Sequence, residues 1–182
     1  MQKTVASIVC GFCLTYVAAM IDHAGKTDDV TVTDGRQSER ALAIRRGVAR
    51  HFGGLDATCL FEATLANGRR SDVIAIFPDG KIEIVEVKSS VADFNADQKW
   101  PEYRDFCDAF WFATAPDVPS DIFPEDEGLI IADPYGAHIM RPARREALHA
   151  SRRKALTLRL ARLAAGRLHR LEDPAIGFSE TW

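Results

Sequence analysis

Residues 71–88 read SDVIAIFPDGKIEIVEVK, which is two alternating runs on either side of a Pro-Asp-Gly turn. Alternation with a period of two is typical of β-strands, and a three-residue loop that ends in glycine is typical of a hairpin. The sequence therefore predicts strands at 71–77 and 81–88. Because Phe77 then lies opposite Lys81, opposed residues in this hairpin have numbers that add up to 158.

The hairpin register brings three charged side chains to one face of the sheet. Asp72 lies opposite Glu86, and cross-strand partners have Cβ atoms roughly 5 Å apart. Lys88 shares the face because it lies two residues beyond Glu86. Two acids and a lysine beside apolar surface cost free energy unless they bind something. The apolar remainder of the face consists of Ile74, Ile76, Ile82 and Ile84.

The paired carboxylates of Asp72 and Glu86 are suited to one divalent cation, and Mg²⁺ or Mn²⁺ is the cofactor that we expect. Such an ion lowers the pKa of a bound water, and Lys88 can stabilise the charge that develops on a phosphate. Glu39 and Glu62 are further candidate acids. The competing interpretation is a cross-strand charge ladder on a solvated face, since Asp followed by Glu-x-Lys is a weak pattern by spacing alone.

The elements around the hairpin predict an α/β fold with a mixed central sheet flanked by helices. Ser38 is the expected cap of the first helix, and Pro101 should break or kink the second. The order is helix, three strands, helix, strand, followed by additions. Besides the hairpin, we expect helices at 39–52, 91–107 and 144–171 and strands at 58–65, 109–115, 129–132 and 137–140.

The charges of the chain are unevenly distributed although the net charge is only −3. Residues 93–133 contain eleven acidic and two basic residues, whereas residues 141–170 contain ten basic residues and one acidic residue. One basic face is typical of nucleic-acid binders, but two solvated faces that attract each other explain the split equally well. The candidate DNA contacts are Lys99, Arg152, Arg153, Lys154 and Arg159.

Two aromatic residues after the hairpin, Trp100 and Tyr103, also have two interpretations. They can stack on an unpaired base, or they can belong to the core, as aromatic residues near a sheet more often do.

Residues 1–37 form an apolar and then polar leader, before a domain at 38–171 and a tail at 172–182. Residues 5–21 carry no charge, so a signal peptide or a membrane anchor is one interpretation. We favour translation from Met20, because the run is short and poorly flanked. Cys10 and Cys13 form a CxxC pair that lacks the further ligands of a zinc site. We expect a reducing compartment, the cytoplasm, because no disulfide framework is evident.

Five stretches of the sequence resemble the MmcB family of bacterial DNA repair proteins, within the PD-(D/E)xK nuclease superfamily. The resemblance covers roughly residues 39–170. The stretches are GRRSD at 68–72, IVEVKSS at 84–90, DFxxDxKWPxY at 93–103, PEDxGLI at 124–130 and RRKALT at 152–157.

The resemblance implies a restriction-endonuclease-like αβββαβ core in which Asp72 and Glu86 bind metal and Lys88 is catalytic. Glu39 matches, only loosely, the glutamate that the superfamily often places on its opening helix. The implied role is repair of damaged or branched DNA in the bacterial cytoplasm, with other repair proteins as further partners. The alternatives are a module of the same fold that binds a DNA structure or a repair partner without cleaving, and an envelope protein anchored through residues 5–21.

Overall fold

The computed structural model describes residues 38–175. The leader at 1–37, with its CxxC pair and its apolar run, and residues 176–182 of the tail lie outside the described residues. None of the helices within 38–175 is both long and apolar enough to cross a membrane.

The first helix, α1 (Glu39–Gly53), begins where the sequence predicts. The Ser38 side chain accepts a hydrogen bond from the backbone N–H of Ala41 and so satisfies a donor that the helix itself cannot. Ile44, Val48 and Phe52 are buried along one side of the helix, as their spacing predicts.

Six strands form one sheet in the order of the chain. The pairs β3–β4 and β4–β5 are parallel and the other three pairs are antiparallel, so the sheet is mixed, as predicted. The strands are β1 (Thr58–Thr64), β2 (Arg70–Ile76), β3 (Ile82–Lys88), β4 (Ala109–Thr114), β5 (Gly128–Ala132) and β6 (Ala137–Arg141).

The β2–β3 hairpin has the predicted register. Ile76 pairs with Ile82 and Val73 pairs with Val85, so opposed residue numbers add up to 158. Gly80 has a φ of +81°, the left-handed conformation that a three-residue loop requires of its last residue. Asp72 and Glu86 lie one residue beyond the pair of Val73 and Val85, at the end of the hairpin away from the turn.

The two faces of the sheet are covered by different helices. α1 packs on the face that contains Val73, Val85 and Trp111. The opposite face contains Ile74, Ile84 and Phe112 and is covered by the segment that follows β3 and by α3 (Ala150–Glu172). Asp72, Glu86 and Lys88 therefore lie at the end of the face that α3 covers.

Two helices differ from the predictions. The helix expected at 91–107 is a short helix, α2 (Val91–Ala96), followed by a 3₁₀ helix (Trp100–Phe106), with Pro101 in the first turn of the latter. Proline lacks the N–H that would continue an α-helix, which explains the division.

The helix expected from residue 144 begins at residue 150 instead. Residues 145–148 instead bind the start of β4: Arg145 forms a β-bridge to Ala109, and the Glu146 N–H donates to the Asp108 carbonyl. At the other end of α3, Leu171 is exposed.

Candidate active site

Asp72 on β2 and Glu86 on β3 are neighbours across the hairpin. Glu86 is buried and Asp72 is half-buried. Oδ2 of Asp72 accepts a hydrogen bond from the backbone N–H of Val87 at 2.8 Å, which fixes this carboxylate against the end of β3. The two carboxylates thus lie side by side and largely buried at one end of this sheet face.

Lys88 at the end of β3 lies within the same cluster and is only 2% exposed. Its Nζ donates to Oδ2 of Asp97 at 2.7 Å and to Oε1 of Glu86 at 3.2 Å. Its backbone carbonyl accepts a hydrogen bond from the Thr114 hydroxyl on β4. The lysine is therefore held at both its backbone and its ammonium group.

Asp97 is a further member of the cluster and was not among the predicted site residues. It follows α2, whose N-terminus is capped by the Ser90 hydroxyl. Asp93 accepts hydrogen bonds from the backbone and the hydroxyl of Ser89 and so holds the short helix against the end of β3. The signal available in the sequence for this contact was the Ser-x-x-Asp pattern at 90–93, which predicts the start of a helix. The chain after the far end of that helix returns toward Lys88.

The carboxylates of Asp72 and Glu86 resist ionisation. Burial, and next the charge of Asp72, raise the pKa of Glu86 well above its usual value, although Lys88 opposes the shift. Burial likewise raises the pKa of Asp72 to about 6, against the hydrogen bond from Val87. Burial would lower the pKa of Lys88, but the charges of Glu86 and Asp97 outweigh it and raise that pKa.

One buried oxygen of this cluster has no hydrogen-bond partner within the described residues. Oε2 of Glu86 makes no hydrogen bond, although its partner oxygen Oε1 is bound by Lys88. An unsatisfied buried carboxylate oxygen beside a second carboxylate fits a divalent cation, because a cation satisfies the oxygen and offsets both charges. Asp72 and Glu86 are the residues that would hold it.

The two further candidate acids are not part of this pair. Glu39 is exposed in the first turn of α1, and within residues 38–175 no three His, Cys, Asp or Glu side chains group as metal ligands. Glu62 on β1 has a φ of +50°, and its carboxylate forms ion pairs with Arg45 and Arg70.

Three of the candidate DNA contacts on α3 bind other parts of the domain. Arg152 pairs with Asp105 and Arg153 with Asp108, two acids from the acidic segment. Arg159 donates to the Thr64 carbonyl on β1. Basic residues of 141–170 are thus paired with acidic residues of 93–133 within the domain. Lys99 and Lys154 are exposed.

Trp100 and Tyr103 pack in the core. Tyr103 is buried, its ring stacks on Phe110, and its hydroxyl donates to the Arg70 carbonyl at 2.9 Å. Trp100 also stacks on Phe110 and forms a T-shaped contact with Phe112. Both rings therefore stabilise the sheet face beneath the cluster.

Comparisons with known proteins agree on the kind of domain. The family model described as DNA repair protein MmcB-like matches residues 28–175. A solved structure, described as the SPO1766 protein of unknown function from Silicibacter pomeroyi, has a TM-score of 0.74 and 39% sequence identity to this chain. The match covers 78% of this chain and 98% of that one. No curated protein matches the chain.

Proposed function

Because the chain belongs to the family of MmcB-like DNA repair proteins, we propose that it serves DNA repair as a nuclease that depends on Mg²⁺ or Mn²⁺. The repair role follows from membership of the family. The phosphodiester hydrolysis, the PD-(D/E)xK type of site and the metal are our proposal. We also propose damaged or branched DNA as the substrate and the cytoplasm as the location.

The observation that carries this proposal is the Glu86 carboxylate. It is buried beside Asp72, its pKa is raised by burial and by that neighbour, and Oε2 has no hydrogen-bond partner within residues 38–175. Most buried side-chain oxygens in proteins have a hydrogen-bond partner. An arrangement that is unfavourable when empty is expected where a charged ligand binds.

The protein's own groups divide the work between binding and charge stabilisation. Asp72 and Glu86 would hold the metal ion, which would supply a bound water of lowered pKa and would offset charge on the phosphate. Lys88 presents a buried ammonium beside them, and burial strengthens its attraction to an anionic phosphate oxygen. The core under these residues keeps them from moving apart.

Lys99 is our candidate for a DNA phosphate contact near the site, because it is exposed and two residues from Asp97. Lys154 is a second exposed candidate, far along the chain on α3. Arg152, Arg153 and Arg159 would have to exchange a contact within the domain for a phosphate, so we expect less from them.

The test is a cleavage screen on single-stranded, duplex, flapped and branched DNA with Mg²⁺ or Mn²⁺. Asp72→Asn, Glu86→Gln and Lys88→Ala should each lower the cleavage rate by about 100-fold or more, as the loss of a group that stabilises the transition state does. Glu125→Gln and Lys81→Ala are matched controls, because both residues are exposed. These controls should cleave at the rate of the unmodified protein.

Metal binding has a readout that does not require cleavage. Mg²⁺ should raise the melting temperature of the unmodified protein, and Glu86→Gln should abolish that increase. Cleavage that persists in EDTA and in Lys88→Ala would overturn the proposal. DNA binding without cleavage of any substrate would instead assign the fold a binding role alone.

A further inference from the structure

The outer side of α3 carries an apolar stripe that the domain does not cover. The inner side of this helix buries Leu156, Leu160 and Leu163 against the sheet. On the outer side, Leu158 is 62% exposed and Leu168 is 54% exposed. We call the outer positions the α3 stripe; all six are exposed, and they are Lys154, Leu158, Ala161, Ala165, Leu168 and Glu172.

The α3 stripe has the spacing of a helix-packing seam. Its successive members are separated alternately by four and three residues, the repeat that keeps one side of a helix facing another helix. The apolar members lie in the middle of the stripe and the charged members lie at its two ends. A solvated helix face needs no such arrangement.

We propose that the α3 stripe binds a second copy of this chain, with the two helices antiparallel across a twofold axis. In this arrangement the numbers of opposed residues add up to 326. Leu158 of one copy meets Leu168 of the other, and Ala161 meets Ala165. Lys154 of each copy meets Glu172 of the other, which gives two ion pairs related by the twofold axis.

Charge complementarity selects this arrangement over the parallel one. A parallel pair would place Lys154 against Lys154 and Glu172 against Glu172, and like charges in contact repel. Within residues 38–175, neither Lys154 nor Glu172 forms an ion pair. Both are therefore available to the second copy.

The small residues at the centre of the α3 stripe also favour a second copy of this chain as the partner. Ala161 and Ala165 allow two helices to approach to about 8 Å between their axes, the short end of the usual range. The leucines on either side then enclose the alanines of the other copy. A contact of one helix per copy is small, so we expect association at micromolar concentration. This dimer uses none of Asp72, Glu86 and Lys88, although Lys154 is also a candidate DNA contact.

The oligomeric state without DNA or metal tests the proposal. Sedimentation velocity over about 2 to 200 µM should show a dimer that forms as concentration rises, in the micromolar range that small interfaces show. Leu158→Glu should remain monomeric throughout. Leu55→Glu is the matched control, because Leu55 is a similarly exposed leucine outside α3, and it should dimerise normally. Circular dichroism of each variant confirms that it is folded.

Charge reversal provides the sharper measurement. Lys154→Glu or Glu172→Lys alone should weaken the dimer by about three- to tenfold, because two ion pairs become like-charge pairs. The double variant should restore the affinity to within about twofold, since each pair is again of opposite charge. An unmodified protein that is monomeric at every concentration overturns the proposal. So does a dimer that Leu158→Glu leaves intact, or a double variant no tighter than the single ones.

Discussion

Lys88 contacts two carboxylates that are attached to the protein in different ways. Glu86 lies two residues away on the same strand, whereas Asp97 comes from the segment after α2 and is partly exposed. The contact with Asp97 is the shorter, 2.7 Å against 3.2 Å. Asp97 therefore fixes the position of the ammonium group more closely than Glu86 does.

We predict that Asp97 acts through Lys88. Asp97→Asn should lower kcat for metal-dependent cleavage by about tenfold, as loss of a supporting contact does, and should leave KM for DNA within about twofold. The same substitution in a Lys88→Ala background should cause no further loss, because the group that Asp97 positions is already absent. Steady-state kinetics of the four proteins measure this.

The matched control for Asp97 is Glu102→Gln, which removes an acid of the following 3₁₀ helix that pairs with Arg69 at the surface. It should leave kcat unchanged. A tenfold loss from Asp97→Asn in the Lys88→Ala background would show that Asp97 acts independently of the lysine.

At the scale of single residues, the sequence predicts the positions that the geometry of a regular hairpin determines. Asp72, Glu86 and Lys88 share a face because strand geometry and one glycine turn determine the register. Asp97 and the orphaned oxygen of Glu86 depend on how residues 89–99 return over the sheet, and no periodicity encodes that path. Whether the site binds metal stays a prediction.

One carboxylate, that of Asp108, links helix α3 to the sheet by hydrogen bonds. Asp108 accepts two hydrogen bonds from the Arg153 guanidinium, and further bonds from the backbone N–H groups of Ile82 and Leu148. It thus joins the start of β3 and the segment before α3. Burial would raise the pKa of Asp108, but these four bonds outweigh it and lower the pKa to about 2.

We predict that Asp108→Asn lowers the free energy of unfolding at neutral pH by about 2–4 kcal/mol, because it leaves Arg153 without its charged partner. The pKa of Asp108 is lower in the folded than in the unfolded state. Its contribution is therefore complete above about pH 4 and is lost as pH falls toward about 2. Urea denaturation at several pH values should show the two proteins converging in stability as pH decreases.

A control variant and one contradicting outcome test the role assigned to Asp108. Glu146→Gln is the control, because Glu146 is exposed and pairs only loosely with Arg144, and it should change stability little. A stability difference between Asp108→Asn and the unmodified protein that stays constant down to pH 2 would contradict the assigned role.

The ends of an element were predictable where a single residue type determines them. They were less predictable where a tertiary contact determines them. Ser38 and Pro101 mark a helix start and a helix break in the sequence, and both effects are observed. The start of α3 was placed six residues too early, since residues 145–148 have ordinary helical composition but bind Asp108 and Ala109 instead. Tertiary hydrogen bonds overrode local preference.

Across the whole molecule, the arginines of α3 protect an edge of the sheet. β1 is an edge strand, and its outward carbonyls would otherwise be open to pairing with another chain. Arg159 donates to the Thr64 carbonyl, and Arg167 donates to those of Phe61 and Glu62. The sequence indicated basic residues suited to DNA, but it carried no sign that a strand edge would use them.

We predict that the double variant Arg159→Ala and Arg167→Ala lowers the free energy of unfolding by about 1–3 kcal/mol and aggregates faster on heating. Static light scattering during a thermal ramp measures the second effect. The control is Arg144→Ala, an exposed arginine before α3, which should match the unmodified protein. Unchanged scattering by the double variant would show that the helix covers the edge without these two side chains.

The position of these arginines in the chain has a consequence during synthesis. Arg159 lies 95 residues after the carbonyl that it binds, and Arg167 lies 106 residues after its own. A ribosome adds about 5–20 residues per second, so the β1 edge waits on the order of 5 to 20 seconds for its cover. For that interval the nascent chain presents an open strand, and a chaperone that binds extended backbone has its target there.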